Sequence, residues 1–161
     1  MKKHEREAPH SHLIQGLSPI IFIIIMVLDT SFIWSTQLSG YIPLFVKLIL
    51  FIVFFGLAIL LIQLSHKSLF KKHEHKNEPS NVLITEGILK RVRNPMYLGI
   101  LFIYLAFICL TISIISMVLF VIIIILYNRM VNYEESILEQ LFGEEYKEYK
   151  KKVPKWMPKL F

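Results

Sequence analysis

At 161 residues the chain is long enough for about one domain, and its 55% hydrophobic content and mean hydropathy of +0.55 exceed what a water-soluble domain of this size carries. The formal charge of +6 lies outside the apolar runs, with no aromatic and basic interleaving of an RNA-binding kind, so it points to membrane orientation and anionic lipid head groups and not to nucleic acid. A single cysteine, Cys109, excludes an intrachain disulfide framework and a cysteine-based metal site, and the ending Pro158-Lys159-Leu160-Phe161 offers no prenylation box.

Met1 to His12 is polar and basic through Lys2, Lys3 and Arg6. The apolar run after it is too long for the core of a signal peptide and lacks a small-residue cleavage site, so residues 1–17 are expected to form a retained cytoplasmic tail with His10 and His12 solvated. A first span is expected over 18–37, close to the length a bilayer requires. Asp29 falls near its middle, where an unpaired charge costs about 2.5–3.5 kcal/mol on insertion scales. It should therefore face the bundle or a wet cavity, either as a site or oligomer contact or, the favoured reading, as a hydrogen-bonded or protonated structural group. Gly40 and Pro43 in the next connection predict a tight reversal, followed by a second span over 44–64 with Lys47 snorkelling at its start.

Residues 65–95 read as a polar cytosolic loop. Its His73-x-His75 pair, with His66 nearby, is too loosely spaced for a convincing metal site, and no cysteine joins it. Residues 97–127 carry no charge, yet the run is too long for one span and short for two. Thr111, Ser113 and Ser116 mark a turn inside it, predicting a helical hairpin with spans over 96–111 and 114–132; one strongly tilted helix is the competing arrangement. Lysine and arginine crowd the N-terminal tail, the 65–95 loop and the segment from Arg129 onward, while the hairpin tip has none. The expectation is an all-α membrane helix bundle of about four spans, with both termini in the cytoplasm.

The stretch from Gly87 to Gly99, G-I-L-K-R-V-R-N-P-M-Y-L-G, joins polar loop to apolar run. Proline lacks an N–H and disfavours helical geometry in the residue before it, so Asn94 should cap a helix that Pro95 opens. The first N–H groups of that helix, beside Arg91 and Arg93, suit an anionic or zwitterionic ligand; the plainer reading is a positively charged membrane flank. After the last span, Ile137, Leu138, Leu141 and Phe142 follow Glu134 and Glu135 at helical spacing, Gly143 ends that helix, and Tyr146 and Tyr149 share a face of the next. Residues 133–161 thus read as an amphipathic cytosolic tail.

These two segments resemble the isoprenylcysteine carboxyl methyltransferase family, related to the phospholipid N-methyltransferases. The resemblance runs from Gly87 to Pro158. It rests on Arg93, Asn94, Pro95, Tyr97 and Gly99, then on Glu134, Glu135, Leu138, Phe142, Gly143, Tyr146 and Tyr149, closed by Val153, Pro154, Trp156 and Pro158. It implies an integral membrane methyltransferase that holds S-adenosylmethionine in a cytosolic pocket without a Rossmann domain, and no Gly-rich dinucleotide fingerprint occurs here. Arg93, Asn94, Pro95, Tyr97, Leu98, Glu135, Tyr146 and Tyr149 are the cofactor-binding residues this implies. Glu134 and Arg129 are the catalytic candidates, Arg129 for positioning an anionic acceptor from the bilayer. Asn94 stands where the family often has His and cannot titrate near neutral pH, and Lys155 stands where it often has Arg and loses bidentate pairing.

The expected acceptor is lipophilic, a carboxylate before a lipid amine or a small thiol. The short chain is similar to prokaryotic members, which implies a prokaryotic plasma membrane. No metal is expected, and the sequence is silent on oligomeric state. A nicotinamide-dependent sterol reductase, which shares the C-terminal resemblance, and a non-enzymatic membrane scaffold are the competing classes.

Overall fold

A computed structural model describes residues 11–32, 39–70 and 82–158. Within them lie five α-helices and no strand: α1 (Ser11–Phe32), α2 (Leu44–Phe70), α3 (Pro95–Thr111), α4 (Ile114–Phe142) and α5 (Glu144–Lys152). Short 3₁₀ turns cover Ser39–Tyr41 and Gly87–Lys90. Segments of α1, α2 and α4 (Leu13–Ser31, Leu44–Leu69 and Ile114–Phe142) are long and apolar enough to cross a membrane, whereas α3 is an apolar helix of 17 residues. Residues 1–10 of the expected tail and the His73-x-His75 pair fall outside the described residues, as do residues 33–37 of the expected first span, whereas residues 11–17, expected in the tail, belong to α1; His66 is exposed.

Helix bounds depart from the hydropathy-based spans for identifiable reasons. The first helix begins at Ser11, before the apolar run, because its opening turns carry Gln15 and Ser18 into contacts with α3 and α4. Its outward positions, including Ile20, Ile24, Val27 and Leu28, are exposed. In α2 nothing breaks the helix at Leu64, and it continues to Phe70. Likewise α4 crosses the apolar-to-polar boundary at Arg129 without a break, because no proline or glycine intervenes before Gly143, whose φ of +55° ends it. That one helix carries both the membrane arm and the Glu134-Glu135 pair.

The α2 and α3 helices pack most closely at Gly99. A Cβ there would lie 2.8 Å from Ile62 Cγ1 and 3.1 Å from the Ala58 carbonyl. Between α3 and α4 the chain reverses over Ile112 and Ser113, with Ile112 in the left-handed region and the Ser113 hydroxyl accepting from the Ser116 N–H at 3.3 Å. The same hydroxyl donates to Asp29 Oδ2, so this buried carboxylate ties α1 to the hairpin tip. Lys47, expected at the interface, is itself buried. The main core joins Phe22 of α1, Tyr97, Leu101, Tyr104 and Ile108 of α3, and Ile123, Tyr127, Met130 and Val131 of α4. A smaller cluster, Leu61, Val92 and Leu98, lies beneath Trp156.

Candidate functional site

The site forms where the chain emerges from the apolar bundle, and it is built by the loop before α3, the cytosolic half of α4 and the segment after α5. Asn94 precedes Pro95 with φ −124° and ψ 58°, outside helical geometry as the following proline requires, and its side chain makes no capping bond. The amide is used elsewhere. Asn94 Nδ2 donates to Glu135 Oε1 at 3.1 Å and, at 3.5 Å, to the Lys155 carbonyl. Arg93 Nε lies 3.2 Å from the same Glu135 oxygen, both side chains being about nine-tenths buried. That contact is within ion-pair range but not aligned as a hydrogen bond, which leaves Arg93 Nε a buried donor without an acceptor. Arg93 Nη1 donates to the Lys150 carbonyl at 3.3 Å, and the Arg93 N–H donates to the Pro154 carbonyl at 3.0 Å.

One residue earlier on α4, Glu134 turns to a different partner. Tyr97 donates its phenolic hydrogen to Glu134 Oε1 at 2.5 Å. The two adjacent glutamates therefore serve two neighbouring compartments, Glu135 on the cationic loop side and Glu134 on the phenol side facing the bundle. Their offset of about 100° around the helix separates them.

Residues 153–158 cross this arrangement as a strap. Lys155 Nζ donates to Asn128 Oδ1 at 2.7 Å and to Asn132 Oδ1 at 2.5 Å, while Trp156 Nε1 donates to Asn128 Oδ1 at 3.3 Å. Burial lowers the Lys155 pKa, with Glu135 opposing and Arg93 adding to the fall. From below, Tyr149 donates to the Leu89 carbonyl at 2.7 Å and Tyr146 is almost fully buried. Burial pushes Tyr149 up to about 12, the Arg93 charge pulling it down and Glu135 adding to the rise; Tyr146 is raised further, by burial first and the Glu135 charge second. Neither phenol ionises near neutral pH, so Tyr149 acts as a neutral donor to Leu89 and Tyr146 as a neutral packing surface.

Of the sequence-derived candidates, Arg93, Asn94, Glu135, Tyr146 and Tyr149 thus gather around one network, with Tyr97 and Glu134 adjoining it. Pro95 is buried at the start of α3, and Leu98 packs with Leu61 and Val92 in the α2–α3 seam. Arg129 stands apart: it is exposed, on the face of α4 opposite Val131. Sequence reasoning did not single out Gln15, Ser18, Tyr104, Tyr127, Asn128 or Asn132. A readable trace did exist for some of them, since Tyr97 and Tyr104, Tyr127 and Glu134, and Asn128 and Asn132 recur at spacings of seven or four that share a helix face.

The family model for phospholipid methyltransferases matches residues 46–145, from the start of α2 through α4 and including both motif segments up to Glu145. The chain belongs to the phospholipid methyltransferase family. Protein-S-isoprenylcysteine O-methyltransferase of Schizosaccharomyces pombe is 32% identical over 84 residues, 52% of this chain and 36% of that protein. Protein-S-isoprenylcysteine O-methyltransferase B of Arabidopsis thaliana is 31% identical over 84 residues, 52% of this chain and 43% of that protein. A probable protein-S-isoprenylcysteine O-methyltransferase of Oryza sativa subsp. indica is 33% identical over 82 residues, 50% of this chain and 43% of that protein. The matched segments thus span less than half the length of these relatives. Membership in this methyltransferase family and the three apolar helices make the chain an integral membrane protein. The helix α1 lies outside the stretch that the phospholipid methyltransferase model matches.

Proposed function

We propose that this protein is an S-adenosylmethionine-dependent methyltransferase that modifies a lipophilic acceptor drawn from the bilayer, with a carboxylate as the favoured acceptor. The observation that carries the reading is the convergence of Arg93, Asn94 and Glu135 at the mouth of the bundle, beside the Tyr97–Glu134 pair. The donor set fits the cofactor: its carboxylate calls for a guanidinium, and its ammonium and ribose hydroxyls call for carboxylates. Arg93 Nε, a buried donor without an acceptor, supplies an unmet need at this point.

S-adenosylmethionine supplies a methyl group already activated on a sulfonium, so the protein's share is binding, orientation and exclusion of water. Arg93, Asn94 and the opening turn at Pro95 hold the amino-acid end. Glu135 takes the ammonium or ribose, and Tyr97 and Leu98 line the wall. Tyr146 and Tyr149 close the floor as neutral phenols. Glu134, at the bundle-facing edge, faces the acceptor side, where an ionised carboxylate acceptor needs no general base. Arg129, exposed at the rim, attracts an anionic acceptor or lipid head group toward that edge. The membrane is a prokaryotic plasma membrane with both chain termini on its cytoplasmic side, a layout supported by the distribution of lysine and arginine.

Transfer of labelled methyl from S-adenosylmethionine tests the reading, with N-acetyl-S-farnesylcysteine as the carboxylate probe and phosphatidylethanolamine vesicles as the amine probe. Label entering the farnesylcysteine as a base-labile ester supports it. Label confined to the amine lipid replaces the carboxylate with an amine acceptor, and no label in either refutes the reading.

A further inference from the structure

On the bundle side of Glu134 a polar seam runs into an otherwise apolar interior, and α1 completes it. Gln15 Nε2 donates to the Tyr97 hydroxyl at 3.3 Å, the hydroxyl that itself donates to Glu134. One turn further along α1, Ser18 Oγ shares hydrogen bonds with the Tyr104 hydroxyl at 2.9 Å and the Tyr127 hydroxyl at 3.4 Å. The spacings make this a line and not a scatter. Gln15 and Ser18 are three apart on α1, Tyr97 and Tyr104 seven apart on α3, and Tyr127 and Glu134 seven apart on α4, so each pair shares a helix face. Seven residues of helix rise about 10 Å, which takes the seam from the Glu134 level into the bilayer.

Three features distinguish this seam from ordinary core packing. Pro19 inside α1 has no N–H, so the Gln15 carbonyl lacks the donor residue 19 would normally supply and adds an acceptor at the same level. The Gln15–Tyr97 and Ser18–Tyr127 bonds joining α1 to the seam are 3.3–3.4 Å, at the long and readily exchanged end of the range. Among the described residues the seam carries neutral side chains, an amide, a serine hydroxyl and phenols, with Glu134 at its cytosolic end. The buried carboxylate of α1, Asp29, lies away from the seam, at the hairpin tip, and is bonded to Ser113.

We infer that Gln15 and Ser18, together with Tyr97, Tyr104 and Tyr127, form the slot that receives the polar head of the lipophilic carboxylate acceptor as it passes from the bilayer to Glu134. This rests on the proposed function and names the element that sets acceptor specificity. Neutral O–H and N–H groups donate to a carboxylate, whose two oxygens replace the long Gln15–Tyr97 and Ser18–Tyr127 bonds. Gln15 and Ser18 both meet the acceptor directly, each giving up a long bond to a phenol. Because α1 lies outside the family-matched segment, Gln15 and Ser18 add to the slot from a part of the chain separate from the two motifs, while Tyr97, Tyr104 and Tyr127 come from within the matched stretch.

The test uses the full chain in detergent or nanodiscs. Wild type, Gln15→Leu, Ser18→Ala and Ser18→Thr are compared for affinity toward S-adenosylhomocysteine and for KM and kcat with N-acetyl-S-farnesylcysteine, with the melting temperature monitored throughout. The expected result is a KM raised roughly tenfold in Gln15→Leu and Ser18→Ala, with S-adenosylhomocysteine affinity within about twofold of wild type and Ser18→Thr restoring KM. An unchanged KM in an active, folded variant overturns the slot and leaves the proposed function standing. Parallel loss of cofactor affinity, acceptor KM and melting temperature overturns it as well, by making α1 a purely structural prop. A wild type that binds no S-adenosylhomocysteine overturns the proposed function and with it the slot, and one that methylates only the amine lipid overturns the slot together with the carboxylate acceptor.

Discussion

Replacing Glu135 with Gln removes one charge from a pair of which both members are about nine-tenths buried, while keeping the shape and the acceptor for Asn94. At 3.2 Å the gross attraction between Arg93 and Glu135 is about 5 kcal/mol at an effective dielectric of about 20. Desolvation of both groups cancels part of this, and their partial contact with water lowers the balance further. What the substitution leaves is the Arg93 guanidinium buried without its counter-ion, a situation that costs about 3 kcal/mol in comparable pairs. Glu135→Gln should therefore lose about 2–3 kcal/mol, visible as a lower midpoint in detergent unfolding. Arg93→Met should lose a similar amount, and the double variant less than the sum, with a coupling of about 1–3 kcal/mol. Additive losses, or a Glu135→Gln midpoint equal to wild type, would refute the pairing as the element that organises the site.

Other consequences reach different parts of the structure. Gly99→Val places atoms against Ile62 and the Ala58 carbonyl and should destabilise the α2–α3 contact by about 1–3 kcal/mol, measured by thermal unfolding in detergent. Asp29→Ala leaves the buried Ser113 hydroxyl without its acceptor and should cost about 1–3 kcal/mol in the same assay, with cofactor affinity unchanged. Tyr149, raised to about 12 by burial, stays protonated in the folded state while its unfolded counterpart ionises near 10. Stability present below pH 10 is therefore lost as pH rises from about 10 toward 12. Tyr149→Phe should flatten that part of the pH profile and, losing the bond to Leu89, start about 1 kcal/mol lower.

The all-α bundle and the helical reversal at Thr111–Ser116 were legible because both follow from local signals: uninterrupted apolar runs and a polar cluster within one of them. The helix start at Pro95 was legible for the same reason, since proline acts on its own neighbours. Hydropathy counts only apolar length and so starts the first span at Ser18, while the opening turns of α1 are held by Gln15 and Ser18 through partners more than eighty residues away. Spacing shows which residues of one helix share a face, but it does not name their partners on another segment. Asp29 is a middle case. Its position predicted a buried, satisfied group, but nothing near it in sequence named Ser113 as the partner. Among the site candidates, Arg93, Asn94 and Glu135 belong to the two motifs and meet in space, whereas Arg129, indicated by charge and membrane position alone, lies on the exposed face of α4. The clasp of Lys155 on Asn128 and Asn132 was invisible because it joins a residue remarkable only for not being arginine to two asparagines with no motif of their own.

The most direct test of the central claim is calorimetric titration of the detergent-purified protein with S-adenosylhomocysteine, with Glu135→Gln and Arg93→Ala alongside. The account predicts saturable one-to-one binding to the intact protein, weakened at least tenfold in both variants while each remains folded. Absence of binding to the intact protein, or undiminished binding in folded variants, would contradict a cofactor site between the Arg93 loop and the Glu135 turn of α4.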